Sequence, residues 1–137
     1  MPRTTPEIIP CMSYHDANAM ITWLYKAFGF AEKVVYRGPD NGVAHAELTL
    51  GNGMIMLGSA RDEGFGALQS TPRKLGGTSQ SAYVIVDDVD AHHARAKAAG
   101  AEIVRPLEDT DHGSREYSAR DPEGHLWNFG NYDPYKA

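Results

Sequence analysis

The sequence predicts an α+β fold made of two similar modules, each with the element order strand–helix–strand–strand–strand (βαβββ). Helical and strand-like spacings of apolar residues alternate along the chain, and this order occurs twice. Four residues of the first half also recur 71 positions later: Asp16 and Asp87, Ala27 and Ala98, Gly29 and Gly100, Gly53 and Gly124. A module of this size buries little core alone, so we expect the two modules to pair.

We place a single domain over residues 1–137, with module one at about 7–58 and module two at about 81–132. The linker between them, at about 59–80, is rich in Gly, Ser and Thr and shows little periodicity. It is long enough to form a lid or a crossover.

Module one contains a helix with clear boundaries. Asp16 suits the N-cap, and Gly29 stands where a C′ glycine ends a helix. Between them, five apolar residues fall on one helical face: Ala17, Met20, Ile21, Leu24 and Phe28. Alternation and turn residues predict the strands of this module at 8–14, 30–37, 43–50 and 54–57.

Module two repeats this order and ends in a distinctive turn. Its strands are predicted at 81–86, 102–107, 115–120 and 125–129, with a helix from residues 87–90 to Gly100. The turn before the last strand is Asp-Pro-Glu-Gly, in which Pro122 presets φ and Gly124 suits the fourth position. Beyond it, Leu126 and Asn128 point to one side of the strand, opposite Trp127.

Composition excludes several classes of function. The net charge of −5, without a run of Lys or Arg, disfavours nucleic acid and anionic membranes as partners. We expect no membrane span and no secretion signal, and therefore a cytoplasmic protein, because apolar runs of the required length are missing. The single cysteine, Cys11, excludes an intramolecular disulfide, and we expect it to be a small buried residue.

Two stretches carry a resemblance to a known family. Ala-Phe-Gly-Phe closes the first helix, and Asp-Pro-Glu-Gly-His-Leu-Trp-Asn-Phe closes the second module. From about residue 8 to 132 the chain resembles the vicinal oxygen chelate superfamily, which includes glyoxalase I, extradiol dioxygenases, fosfomycin-modifying enzymes and bleomycin resistance proteins. The resemblance implies two βαβββ modules whose mixed sheets curl around a cavity. It also implies a homodimer, in some members with each cavity built from two chains.

The resemblance further implies four metal-ligand positions, which usually hold His, Glu or Gln. In this chain they fall on Pro10, Met56, Ser81 and Asn128. Proline and methionine cannot bind a hard dication, serine is a poor ligand, and asparagine is weak without neighbouring carboxylates. We therefore expect no metal ion and no other cofactor.

His45 and Glu47 are the residues that could still support chemistry. They share one face of strand 43–50, about 7 Å apart, opposite Ala44, Ala46, Leu48 and Leu50. Three interpretations remain open: a solvated or structural pair, contacts to a ligand without metal, or a displaced divalent-metal site. In the absence of metal the same residues could also act as an acid and a base.

Alternation outlines a ligand pocket if Pro10 and Ser81 face inward. Met12, Met54, Ile85 and Leu126 would then border it, and six residues are candidates for ligand binding: Tyr14, His45, Glu47, Met56, Tyr83 and Asn128. This mixture of apolar, aromatic and polar groups is typical of a small-molecule site. Elsewhere we expect His92 to be packed, His93 solvated and His125 hydrogen-bonded at the edge of the core.

The preferred hypothesis for function follows from two observations: the chain resembles the superfamily, and it lacks the superfamily's metal-ligand residues. It is a metal-independent protein of the sequestration or resistance type, binding a small organic molecule, aromatic or cationic, in a homodimer's clefts. The alternative is a metal-dependent lyase or dioxygenase of the glyoxalase type at His45 and Glu47. A third hypothesis is a metal-free isomerase or hydrolase with one of these two residues as the base.

Overall fold

The structure, a computed structural model, describes residues 3–136 and contains both predicted modules. Module one comprises β1 (Cys11–Tyr14), α1 (Ala17–Phe28), β2 (Ala31–Arg37), β3 (Val43–Leu50) and β4 (Gly53–Ser59). The linker includes a 3-10 turn at Gly64–Ala67 and a one-turn helix, α2 (Pro72–Leu75). Module two comprises β5 (Ala82–Ile85), α3 (Val89–Ala98), β6 (Glu102–Asp109), β7 (Arg115–Arg120) and β8 (Leu126–Gly130).

Each module forms its own four-stranded mixed sheet. The strand orders are β1-β4-β3-β2 and β5-β8-β7-β6, so the two sheets have the same topology. In each sheet the first strand runs parallel to the last, and the other pairs are antiparallel. The predicted α+β class and the two βαβββ modules are confirmed. The sheets are unclosed, and across residues 3–136 no strand of one sheet pairs with a strand of the other.

Helix α1 forms as its sequence predicts. The Asp16 carboxylate accepts the Ala19 N–H at 3.1 Å, and Gly29 adopts a φ of +91° at the other end. The predicted apolar face of the helix is buried. Arg95 of α3 donates hydrogen bonds to the carbonyls of Tyr25 and Lys26, so module two also caps the C-terminal end of α1.

Helix α3 has a weaker apolar face. Only Val89 and Ala96 of this helix are buried. His92 is half-buried and packed, as predicted: its Nε2 donates to the Phe28 carbonyl at 2.9 Å, and Nδ1 accepts from the Tyr117 hydroxyl at 2.6 Å. Burial lowers the pKa of His92, which favours the neutral ring that this bonding requires. His93 is also half-buried, edge-on to Tyr117, so the expectation that it is solvated is wrong.

The core is formed by residues of both sheets together with the buried faces of both helices. Phe28 of α1 crosses to module two and contacts Trp127 and Phe129, with ring centroids 5.6 and 4.7 Å apart. The two modules therefore share one hydrophobic core. No helix within residues 3–136 combines the length and the apolar character needed to cross a membrane.

The helices cover one face of each sheet and leave the opposite face, called the open face below, without a helix packed on it. The module-one open face carries Cys11, Ser13, His45, Glu47 and Met56, placed side by side by the strand register. The module-two open face carries Tyr83, Glu116, Ser118 and Asn128.

The predicted orientation of β1 is wrong. Tyr14 is fully buried in the core, and Met12 packs against the core, whereas Cys11 is exposed. Parallel pairing sets this orientation, because Met12 lies beside the buried Leu57 and Cys11 beside Met56. No local pattern in so short a strand specifies which of its faces is covered.

A smaller correction concerns the start of β3. Val43 is buried and Ala44 is exposed, so Ala44 does not share the core face with Ala46 and Leu48. A register shift in the pairing of β2 with β3, between Tyr36 and its neighbour, moves the first residues of β3 out of alternation.

Candidate ligand-binding site

His45 and Glu47 lie together on the module-one open face. The His45 Nε2 atom is 2.9 Å from Oε2 of Glu47, and the Lys33 ammonium donates to Oε1 at 3.2 Å. Hydrogen bonds from His45 and, second, from Lys33 lower the pKa of Glu47, so the carboxylate is ionised at neutral pH. The His45 ring also stacks on Tyr36, with centroids 6.1 Å apart.

A pocket of about 630 Å³ lies between this open face and residues 61–69 of the linker. Of the predicted site residues, His45 and Met56 line it, and Glu47 does not. The sequence interpretation missed the linker's contribution, namely Arg61, Glu63, Phe65 and Gln69. The available signal was the exposed Phe65 in a glycine-rich stretch, which suggested a lid without indicating what it covers.

Specific contacts hold the linker at the pocket. The Gln69 amide donates to the Cys11 carbonyl at 2.7 Å and ties the end of the segment to β1. Gly64 adopts a φ of +59°, which favours glycine. A Cβ on Gly66 would lie 2.7 Å from Cβ of Arg61, so the segment folds back on itself too closely for any side chain there.

On the module-two open face, Asn128 is part of a hydrogen-bonded network. The Ser118 hydroxyl donates to Oδ1 of Asn128 at 2.7 Å. The Asn128 amide nitrogen donates to the Ser81 hydroxyl at 2.9 Å and to the Ala82 carbonyl at 3.1 Å. Both the oxygen and the nitrogen of the Asn128 amide are therefore hydrogen-bonded within module two.

Tyr83 occupies the same open face. Its side chain is 38% exposed, and its hydroxyl donates to the Tyr132 carbonyl at 2.8 Å. Burial, followed by the nearby negative charge of Glu116, raises the pKa of Tyr83. The structure thus groups His45, Glu47 and Met56 on one sheet and Tyr83 and Asn128 on the other. Tyr14 belongs to neither group, because its hydroxyl donates to the buried Asp121 at 2.7 Å.

The residues at the four family metal positions do not fit a hard dication. Pro10 and Met56 offer no side-chain nitrogen or oxygen, and Ser81 and Asn128 are bonded to each other. Within residues 3–136, no three His, Cys, Asp or Glu side chains are placed to hold a metal ion. At Glu47, the ammonium of Lys33 supplies a positive charge that opposes a cation at the same carboxylate.

The turn between β7 and β8 joins the modules next to the pocket. Glu123 accepts hydrogen bonds from the backbone N–H groups of His15 and Asp16 at the start of α1. His125 is buried at the edge of the core, as predicted, and its Nε2 donates to the Ser13 carbonyl at 2.9 Å. These bonds fix the end of β1, whose other residues line the pocket.

Comparisons with known proteins agree with this architecture. The family model described as Glyoxalase/Bleomycin resistance protein/Dioxygenase superfamily matches residues 11–129. An uncharacterized protein of Mycobacterium bovis is 37% identical over 125 residues, covering 91% of this chain and 82% of the relative. An uncharacterized protein of Mycobacterium tuberculosis is also 37% identical over 125 residues, and the match covers 91% of this chain and 74% of the relative.

Solved structures show the same fold. TioX from Micromonospora sp. ML1 has a TM-score of 0.76 and 34% identity, covering 93% of this chain and 99% of TioX. The fosfomycin resistance protein FosX from Listeria monocytogenes, complexed with Mn(II) and sulfate, has a TM-score of 0.69 at 14% identity, covering 96% and 94%. The resemblance to the vicinal oxygen chelate superfamily is confirmed, and the chain belongs to the glyoxalase/bleomycin resistance protein/dioxygenase superfamily.

Proposed function

We propose that this protein binds a small organic molecule without a metal ion, as a sequestration or resistance type of protein does. The observation that carries the proposal is the pocket of about 630 Å³ on the module-one open face. Its volume and its lining, mostly apolar with a few polar groups, suit a small-molecule ligand. We expect the ligand to contact His45 and Met56 directly.

The donor set supports metal independence. The superfamily fold accommodates Mn(II) in FosX from Listeria monocytogenes, so the architecture itself is compatible with a metal ion. In this chain, however, proline, methionine, serine and asparagine replace the nitrogen and carboxylate ligands that a hard dication prefers. We therefore propose that binding, rather than metal-assisted chemistry, is the role of the open face.

We also propose that the protein forms a homodimer in which each pocket is completed by the second copy. The pocket of one chain is lined by module-one and linker residues alone, so Met56 of that chain belongs to it and Asn128 does not. Pairing module one of one copy with module two of the other would cover both faces. A cytoplasmic location stays a prediction from the sequence.

Metal analysis and thermal shift test this proposal together. Purified protein is expected to carry no stoichiometric metal, and its melting temperature is expected to stay constant with EDTA, Ni²⁺, Zn²⁺, Mn²⁺ or Fe²⁺. A screen of aromatic and aliphatic small molecules is expected to yield compounds that raise it. A tightly bound ion that raises the melting temperature, and is lost in His45→Ala, would contradict metal independence.

The hydrogen-bonded pair of His45 and Glu47 supports a second candidate, a metal-free isomerase or hydrolase. Because Nε2 of His45 donates to the ionised Glu47, Nδ1 is left as the basic nitrogen of the ring. Turnover of a pocket ligand that is lost in His45→Ala and retained with EDTA would favour this candidate. The metal-dependent lyase or dioxygenase is less well supported, because Lys33 already neutralises Glu47.

A further inference from the structure

We infer that the pocket selects a planar aromatic ligand that bears a carboxylate, with the ring stacked on Phe65 and the carboxylate bound by Arg61. This inference rests on the proposed function, because it names the ligand class of the same pocket. It goes further in choosing an anionic ligand over a cationic one. It is carried by the shape of the pocket floor, by the exposure of Phe65 and by the surroundings of Arg61.

Small residues form part of the pocket floor where β1, β4 and β3 meet. Ser13 and Gly58 are register partners on these strands, and Ala44 lies beside them on the pocket wall. A Cβ on Gly58 would lie 3.1 Å from the Ala44 carbonyl oxygen, so this strip of the floor carries no side chain larger than those of Ser13 and Ala44, while His45 and Met56 line the pocket beside it. A flat apolar ring fits such a floor better than a branched aliphatic group does.

Phe65 faces the same pocket from the linker. Its side chain is 68% exposed, although burying an aromatic ring of this size is favourable by about 2 kcal/mol or more. The tight approach of Gly66 to Arg61 and the tie from Gln69 to Cys11 hold Phe65 in place. A ligand ring stacked on Phe65 would cover it with little loss of loop entropy.

Arg61 is exposed, and no side chain among the described residues binds its guanidinium. Arg105 and Arg115 each bind two carboxylates, whereas Arg61 makes no side-chain hydrogen bond or ion pair within residues 3–136. A side chain on Gly38 would begin 3.3 Å from Nη2 of Arg61 and 3.5 Å from Cβ of Ala44, which places the guanidinium against the bare backbone of Gly38, next to a residue that lines the pocket. A guanidinium binds a carboxylate through two parallel hydrogen bonds, so an anionic ligand supplies the missing partner.

Glu63 provides an internal test of the ligand's charge. It lines the same pocket, and it forms no ion pair with Arg61 within 4.0 Å. A ligand carboxylate would be attracted by Arg61 and repelled by Glu63, and a ligand cation would experience the reverse. Neutralising each residue in turn therefore gives opposite results for the two classes of ligand.

The experiment compares 2-naphthoate with 2-naphthamide, which have nearly the same shape, by isothermal titration calorimetry on the full chain. Naphthoate is expected to bind about tenfold more tightly than naphthamide. Arg61→Gln is expected to abolish this difference while retaining naphthamide binding, and Glu63→Gln to strengthen naphthoate binding. Phe65→Ala is expected to weaken both probes about tenfold, with Leu68→Ala as the matched control.

Two results would overturn the inference and leave the proposed function standing. One is binding that does not depend on a ligand carboxylate, seen either as equal binding of the two probes that Arg61→Gln does not change or as tighter binding of 2-naphthylmethylammonium that Glu63→Gln weakens. The other is that neither naphthalene probe binds while aliphatic compounds from the thermal-shift screen do. Failure of every compound in that screen would instead contradict the proposed function itself.

Discussion

At the scale of single residues, Glu47 shows how neighbouring side chains determine the charge of a carboxylate on the module-one open face. His45 and Lys33 each bind one of its carboxylate oxygens, and both contacts favour the charged form. The same two contacts make Glu47 a poor ligand for a dication and make His45 a ring with one free basic nitrogen. The chemistry available here therefore depends on a pair, and neither residue alone specifies it.

The pKa of Glu47 is expected to rise towards its ordinary value in His45→Ala, because the hydrogen bond from His45 is the largest cause of the downward shift. Lys33→Met is expected to give a smaller rise. A carbon-detected NMR titration of the Glu47 carboxyl measures both. Since a lowered carboxyl pKa stabilises the fold above the unfolded value, the wild-type contribution should be lost as the pH falls through the folded pKa. An unchanged titration in His45→Ala would contradict the assigned cause.

Gly130 is a residue whose importance only packing reveals. A Cβ at this position would lie 2.6 Å from Cγ of Glu116 and 2.8 Å from the Tyr83 hydroxyl. Gly130→Ala is therefore expected to lower the free energy of unfolding by about 1–3 kcal/mol, measured by urea denaturation. Gly77→Ala is the matched control, because a Cβ there would meet nothing within 4 Å. Equal stability of the two variants would refute the close packing of Glu116 and Tyr83.

At the scale of elements, the β7–β8 turn acts as a joint between the modules. Glu123, only 4% exposed, accepts two backbone hydrogen bonds at the start of α1, and Asp121 accepts from the Tyr14 hydroxyl and from Trp127. One turn of module two therefore accepts hydrogen bonds from β1, from the start of α1 and from β8. The negative charge of Glu123 at the N-terminal end of α1 also complements the helix dipole.

Glu123→Gln is expected to destabilise the fold by about 1–3 kcal/mol. The substitution replaces one carboxylate oxygen by an NH₂ group, so one of the two backbone N–H groups that donate to Glu123 loses its acceptor in a buried site. Thermal and urea unfolding measure this loss. Glu63→Gln serves as the control, since Glu63 is exposed and outside the joint. If the two variants unfold alike, Glu123 does not hold the modules together.

At the scale of the whole molecule, two sheets share one core and leave two open faces. Each open face carries large side chains that are only partly covered, such as Met56 on one face and Tyr83 on the other. The proposed dimer would cover these faces and bring the pocket of one copy towards the network around Asn128 of the other. Ligand binding and dimerisation would then be linked, because each completes the same site.

Light scattering after gel filtration is expected to give twice the chain mass of 15.0 kDa. Tyr83→Glu is expected to shift the protein towards the monomer, because it introduces a charge on the module-two open face beside Glu116. Tyr135→Glu is the control, since Tyr135 is 91% exposed and outside the open faces. A monomeric wild type, or equal dimer content in both variants, would contradict the proposed arrangement.

The fold was largely predictable from the chain, and the site was not. The caps of α1, its apolar face and the repeat between the halves are local signals, and each appears in the structure. Pairing of β5 with β8 sets Tyr83 beside Asn128. His45, Glu47 and Asn128 were placed on the correct strand faces because buried apolar neighbours mark the opposite faces of β3 and β8. Tyr14 and Cys11 were not, because β1 is only four residues long and takes its orientation from pairing with β4.

The sequence by itself determined the two βαβββ modules, since they follow from local spacing and residue type, and its resemblance to the superfamily indicated which residues stand at the metal positions. The tertiary structure alone decided which sheet faces stay open and how the linker brings Arg61 and Phe65 to the pocket. It also decided which groups form hydrogen bonds with the Asn128 amide. These features depend on contacts between residues far apart in the chain, such as Gln69 with Cys11, and local patterns do not encode such contacts.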